Sequence, residues 1–260
     1  MLKLICSKLS RVYCILLASI ALAQNPVPPQ NPAPPPSNVP LAPDKQMERL
    51  QHSLHDYGNL ARYHDEDARL PPPAPGEDRV VFMGDSITDF WGRRNGKFFP
   101  GEPYINRGIS GQVTPQMLLR FRQDVIELKP KVVVILAGTN DIGGSLGPIP
   151  TDVIENNLMS MVELARAHNI RVVLSSLTPV CDYLQPQTQK RPPEKLLALN
   201  DWLKGYTSHE NIVYVDYYPK MIDDKGMLRA DLTIDCLHPN DAGYAVMAPL
   251  VEDAIRKALH

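Results

Sequence analysis

The sequence predicts an α/β domain, a doubly wound parallel sheet covered by helices on both faces. Three observations carry that reading. From Arg79 onward, short apolar runs alternate with longer amphipathic ones, and parallel strands need crossover connections of the kind helices supply. Polar residues gather directly after the apolar runs, where such sheets bind their ligands. The chain of 260 residues, 43% hydrophobic and 22% charged, is long and apolar enough for one sizeable core.

The chain begins with a segment set apart from the fold. Lys3, Lys8 and Arg11 form a positive region before a twelve-residue apolar run, Val12 to Ala23, that ends in Ala21-Leu22-Ala23. This is the pattern of a Sec-type signal peptide at residues 1–23, cleaved after Ala23. An uncleaved anchor is the alternative, but twelve residues do not span roughly 30 Å of hydrocarbon, so the mature chain is expected to have no transmembrane span. Neither Cys6 nor Cys14 stands in a lipid-attachment context. Export predicts a secreted or periplasmic protein. Loss of the three cationic residues takes the formal charge from −2 to −5, and no basic run of the kind that binds nucleic acid is present.

Residues 24–44 are rich in proline, which fixes φ and removes backbone donors, so an extended tether is expected. Residues 45–78 then predict an N-terminal helix and a proline-rich connector, "PPPAPGED". Met47, Leu50, Leu54, Tyr57 and Leu60-Ala61 recur at three- and four-residue spacing, one face of an amphipathic helix packed on the outside of the domain.

Within 79–260, strands are expected at Val80–Met83, Tyr104–Gly108, Val132–Ala137, Ile170–Ser176 and Ile212–Asp216. Helices are expected at about Thr114–Leu128, Thr151–Ala167 and Pro193–Tyr206, and from Asn240 to Leu259. The loops on the carboxyl rim of that sheet contain Asp85-Ser86, Asn106 to Gly111, "GTND" at Gly138–Asp141, Thr178 to Tyr183 and "DCLHPN" at Asp235–Asn240.

Those loops carry the chemistry. Ser86 suits a helix cap as well as a nucleophile, and its hydroxyl attacks a carbonyl only if a base takes its proton. His238 is the candidate base: Asp235, three positions earlier in a tight turn, reaches one ring nitrogen and leaves the other facing the rim. His52, His55, His64, His168, His209 and His260 read as solvated or core residues; His238 differs in combining the carboxylate with a following Pro239 and a helix start. Donors for a developing oxyanion are the backbone N–H groups of Ser86 and Gly111 and the side-chain amide of Asn140. Gly111 and Asn140 also suit plain turn positions. Asp85 reads as a partner for the turn. Cys181 and Cys236 remain after signal cleavage and stand on the same rim, either as two free thiols or as a disulfide pinning the His238 loop.

Taken as a set, "GDS" at Gly84–Ser86, the glycine of "NRGISGQ", "GTND" and Asp-x-x-His at Asp235–His238 resemble the four blocks of the SGNH, or GDSL-type, hydrolases. The resemblance covers about Arg79 to Leu259 and is strongest to the secreted bacterial lysophospholipase-like and acylhydrolase branch. It implies a three-layer α/β/α sandwich with a five-stranded parallel, flavodoxin-like sheet. It also implies Ser86 as nucleophile, Gly111 and Asn140 as oxyanion donors, and Asp235 and His238 as orienter and base. One departure is Cys236, where relatives commonly carry glycine. The lipase elbow G-x-S-x-G is absent around Ser86, which argues against the α/β-hydrolase fold.

The expected function is therefore a serine ester hydrolase working through an acyl-Ser86 intermediate, with no cofactor and no metal, since the sequence contains neither H-E-x-x-H nor a cysteine cluster. The polar stretch Pro179–Pro193 is expected to line the substrate side through Val180 and Tyr183. Its polarity favours a polar or short-acyl substrate over a deep lipid tunnel, and export gives access to glycans. Acetyl esters of carbohydrates, such as an acetylated polysaccharide, are therefore expected ahead of lysophospholipid or short-chain lipid esters. A non-catalytic carbohydrate-binding module on the same fold is the reading from a different class.

Overall fold

The computed structural model describes residues 44, 47, 48, 51 and 54–260. The expected signal peptide at 1–23, and the proline-rich linker at 24–44 apart from Asp44, lie outside the described residues.

The apolar runs form β1 (Val80–Gly84), β2 (Tyr104–Gly108), β3 (Val132–Leu136), β4 (Arg171–Ser175) and β5 (Val213–Val215). They make one parallel sheet in the order β2-β1-β3-β4-β5, the flavodoxin-like order, whose switch point lies between β1 and β3. Gly84 pairs with both Gly108 and Leu136, so these strands end level with one another. Ser175 pairs with Val215 at the same edge. The loops that follow therefore share one rim.

The helices are α1 (Ala61–Arg69), α2 (Ser86–Phe90), α3 (Thr114–Asp124), α4 (Thr139–Ile142), α5 (Thr151–Ala167), α6 (Pro193–Glu210), α7 (Tyr218–Met221) and α8 (Asp241–Leu259). Strand side chains alternate between the two faces. Val81, Met83, Val133, Ile135 and Leu174 pack with Met117 and Phe121 of α3, Leu158 of α5 and Leu199 of α6. Val80, Phe82, Val132, Val134 and Val173 pack with Tyr244, Met247, Val251 and Ile255 of α8. These are the two cores of a three-layer sandwich. Burying one side chain of this size stabilises by roughly 1.5–3 kcal/mol, so two continuous cores hold the rim more firmly than any loop contact does.

The N-terminal segment departs from expectation. Residues 54 and 55 are helical, but 56–60 leave the helix, and α1 starts afresh at Ala61. The Asp56 carboxylate accepts from Leu60 N–H at 2.7 Å and Ala61 N–H at 2.9 Å, and Asn59 adopts φ +54°; both features favour a helix restart over continuation. Met47, Leu54, Tyr57 and Leu60 are exposed rather than forming a buried stripe. What docks this region is Tyr63, fully buried, whose hydroxyl donates to Gly108 O, together with Arg107 held by Glu66 and Asp67. Among the described residues no helix is long and apolar enough to cross a membrane.

Candidate active site

The site is built at the carboxyl rim. A Cβ at Gly84 would lie 2.1 Å from Thr88 Oγ1 and 2.9 Å from Leu136 O, so only glycine lets α2 begin directly on β1. Asp85 is the N-cap of α2, its Oδ1 accepting from Ile87 N–H at 2.9 Å. That decides the capping question: Asp85 caps, and the Ser86 hydroxyl is left for other work. Asp85 is the turn partner expected from sequence, and desolvation pushes its carboxyl up to about 6 despite the Ile87 hydrogen bond and the charges of His238 and Arg191.

Ser86, 5% exposed, places Oγ 2.9 Å from His238 Nε2. His238 Nδ1 stands 2.6 Å from Asp235 Oδ2, while Asp235 Oδ1 accepts the backbone N–H groups of Leu237 at 3.1 Å and His238 at 2.8 Å. An ionised carboxylate only accepts, so Nδ1 carries the proton and Nε2 faces the Ser86 hydroxyl as an acceptor. Burial raises the Asp235 carboxyl, but the hydrogen bond and charge of His238 and the two backbone donors together hold it below the ordinary range. The Phe90 ring packs 4.8 Å from the imidazole, centroid to centroid, and the His238 carbonyl accepts from Thr233 Oγ1 and Ile234 N–H.

The other walls come from the loops after β2 and β3. Gly111 has φ +82°, a conformation that favours glycine, so the turn reading of this residue holds; its N–H has no acceptor among the described residues. The loop is tied to α2 by Asp89, whose Oδ2 accepts from Ser110 Oγ at 2.5 Å and from Ser110 N–H at 3.2 Å. Asn140 is 4% exposed and donates through Nδ2 to Gln112 O at 3.1 Å. Asp141 accepts from the backbone and hydroxyl of Thr114, capping α3. Arg120, fully buried, reaches Gln112, Arg107 O, Gly84 O and Asp124, bracing the floor beneath these loops.

Cys181 and Cys236 form a disulfide, with Cα atoms 4.7 Å apart. Of the two readings the sequence left open, the bridged one is the one found. Cys236 sits at φ +69° in the turn, where glycine is the natural residue. The disulfide, the Cys181 N–H bond to Cys236 O at 3.1 Å and the Leu184 N–H contact to Cys236 Sγ at 3.2 Å over-determine that conformation. The bridge closes a 55-residue separation, for which chain entropy gives about 4 kcal/mol. Cys181→Ser/Cys236→Ser is accordingly expected to lower the unfolding free energy by about 2–4 kcal/mol in urea titration. A loss below about 0.5 kcal/mol, within surface-substitution scatter, would rule the stabilising role out.

Val180 does not line the rim. It is 2% exposed and belongs to the core beneath β4, its carbonyl accepting from Leu228 N–H, because the chain turns inward before the disulfide. Tyr183 is exposed, its hydroxyl donating to Asp223 at 2.5 Å. Reading by motif missed Asp89, Asp141 and Arg191, a nearly buried arginine bonded to Asn140. Asp141 stood inside "GTND" and was legible; Arg191 carried no local signal. Among the described residues no group of three or more His, Cys, Asp or Glu side chains is arranged to hold a metal ion.

This geometry can be set beside known proteins. Residues 82–246 match the family described as GDSL-like Lipase/Acylhydrolase. The chain belongs to that family. A solved GDSL-like lipase from Bacteroides thetaiotaomicron VPI-5482 is 42% identical, covering 78% of this chain and 99% of its own, with a TM-score of 0.73. An acetylxylan esterase of Geobacillus stearothermophilus is 25% identical across 66% of this chain and 90% of the relative. A platelet-activating factor acetylhydrolase IB subunit beta homolog of Drosophila melanogaster is 27% identical across 74% and 76%. An uncharacterized lipoprotein of Bacillus subtilis is 33% identical over 81 residues, and the chain spans 33% of that protein's length. As a GDSL-like acylhydrolase, the chain is a carboxylic ester hydrolase.

Proposed function

We propose that this acylhydrolase is an exported serine esterase that removes short acyl groups, acetyl above all, from carbohydrates. The observation that carries the mechanism is the unbroken relay from Ser86 Oγ to His238 Nε2 at 2.9 Å and from His238 Nδ1 to Asp235 at 2.6 Å. Ser86 Oγ attacks the ester carbonyl carbon as its proton passes to Nε2. The carbonyl π pair moves onto oxygen, and the N–H groups of Ser86 and Gly111 and the Asn140 amide receive that oxyanion. Collapse breaks the carbon–oxygen bond to the alcohol, which leaves with the proton from Nε2. Water, deprotonated by the same nitrogen, then adds to the acyl carbon; the bond to Ser86 Oγ breaks, the carboxylic acid leaves, and Nε2 returns the proton to Oγ.

Acetyl as the acyl group is supported by two relatives whose names both contain it, the acetylxylan esterase and the platelet-activating factor acetylhydrolase homolog. A sugar as the alcohol is supported by exposed Tyr183 on a polar segment. Export is supported by the leader pattern and by the disulfide, which persists in oxidising compartments. A second reading, cleavage of lysolipid or short-chain lipid esters, draws on the exposed apolar side chains Leu184 and Ile234 flanking the same disulfide.

A p-nitrophenyl ester series run beside acetylated xylan and a lysophospholipid separates the two. The carbohydrate reading expects kcat/KM to fall at least about tenfold from acetyl to octanoyl, with acetate released from xylan. Rising kcat/KM with chain length and release of fatty acid from the lysophospholipid would replace it with the lipid reading.

A further inference from the structure

Arg191 lies between β4 and α6, 8% exposed, with its guanidinium spread against the "GTND" turn. Nε donates to Thr139 O at 3.2 Å, Nη2 donates to Asn140 Oδ1 at 3.2 Å, and Nη1 donates to Gln187 Oε1 at 2.9 Å. Gly143 closes over the group: a Cβ there would stand 2.9 Å from Arg191 Cζ.

Two features set this arginine apart. All three of its acceptors are neutral, whereas the buried Arg93, Arg107 and Arg120 each pair with a carboxylate. The carboxylates of Asp85 and Asp235 act on it through space without a hydrogen bond. The direct contacts that fix the guanidinium are thus all to neutral groups, an arrangement that costs desolvation without a contact ion pair. Its partner, moreover, is the oxygen of the one side-chain amide on the proposed oxyanion wall. A guanidinium has five donors and no acceptor. The amide atom facing it must therefore be Oδ1, and Nδ2 is turned away, one hydrogen on Gln112 O at 3.1 Å and the other free for the rim. Were the amide flipped, an acceptor would face the developing negative charge. Donation into Oδ1 also polarises the amide and strengthens its N–H as a donor.

We propose that Arg191 is a positioning residue for transition-state stabilisation: it locks the Asn140 amide in the donor-outward orientation and sharpens it as an oxyanion donor. The inference rests on the proposed role of Asn140 in the esterase mechanism. It assigns a function to a residue outside the motif blocks, delivered by the segment that the disulfide anchors to the His238 loop.

The test is a double-mutant cycle on p-nitrophenyl acetate, with melting temperatures recorded for every variant. Asn140→Ala is expected to lower kcat by about 10²–10³-fold. Arg191→Met is expected to lower kcat by about 10–100-fold, part of that loss, with KM within about threefold of wild type. In the Asn140→Ala background, Arg191→Met should cost less than about threefold, because the group it positions is gone. Arg191→Lys, which keeps the charge but not the planar fork, should fall between Met and wild type, and it carries the same cycle should Arg191→Met fail to fold. Independent, multiplying losses, or wild-type kcat in a folded Arg191→Met, overturn the proposal while leaving the esterase reading intact. Wild-type kcat in Asn140→Ala would instead overturn the oxyanion reading on which it rests.

Discussion

Ser86→Ala is expected to lower kcat for p-nitrophenyl acetate by about 10⁴–10⁶-fold while leaving the melting temperature nearly unchanged. The substitution removes a hydroxyl whose hydrogen bond is to His238 Nε2, so no buried donor or acceptor of the core is orphaned. With no oxygen to acylate, the covalent route is closed and His238 has no proton to take. The residual rate should exceed that in water, because the proposed donors at Gly111 and Asn140 remain. A fluorophosphonate probe should label the wild type and not the variant. Turnover within tenfold of wild type in pure Ser86→Ala would sink the acyl-Ser86 mechanism, whatever the substrate.

The second large effect falls on Asp235. Asp235→Asn keeps the side chain's shape and an oxygen for the N–H groups of Leu237 and His238, now 3.1 and 2.8 Å from Oδ1. The new NH₂ then faces His238 Nδ1, where a donor meets a donor. The imidazole is relieved by shifting its proton to Nε2, which is the wrong tautomer for accepting from Ser86. A kcat loss of about 10³–10⁴-fold is expected, with a near-native melting temperature. Because the relay acts as a unit, adding Ser86→Ala should produce little further loss. A loss below tenfold would show that the two backbone contacts to Asp235, rather than its charge and its grip on the tautomer, are its main contribution.

Much of this site is legible in the amino-acid sequence itself. The five expected strands fall within two residues of those found. In β1, β3 and β4 burial on both faces leaves little room for residue types other than apolar ones, whereas edge strand β2 carries Asn106 and Arg107. Ser86, Gly111, Asn140 and His238 each follow an apolar run or precede a helix, and the level ends of β1, β2 and β3 turn that sequence position into a spatial one. Asp235 and His238 are close in sequence, so their pairing needs only a tight turn.

Other features were not legible, and the reasons are specific. The apolar spacing from Met47 to Ala61 promised a single helix. Spacing reports that a face exists, not that a surface waits to cover it, and Asp56 with Asn59 restarts the chain at α1. Val180 seemed to belong to the substrate side by position in its loop, yet the chain dives into the core there before Cys181.

The local chemistry of this acylhydrolase is thus a property of its sequence: which residues form strands, which loops follow them, and which side chains have the groups a proton relay needs. The tertiary structure decided what depends on distance between remote segments. It brought Cys181 within 4.7 Å of Cys236, Cα to Cα, and so chose a disulfide over two thiols. It also set Arg191 against Asn140, 51 positions apart, and so oriented an amide that the motif alone leaves free to flip. Hydrophobic periodicity and short-range hydrogen bonding act within a few residues along the chain, whereas these contacts exist only once two cores have fixed the loops in space.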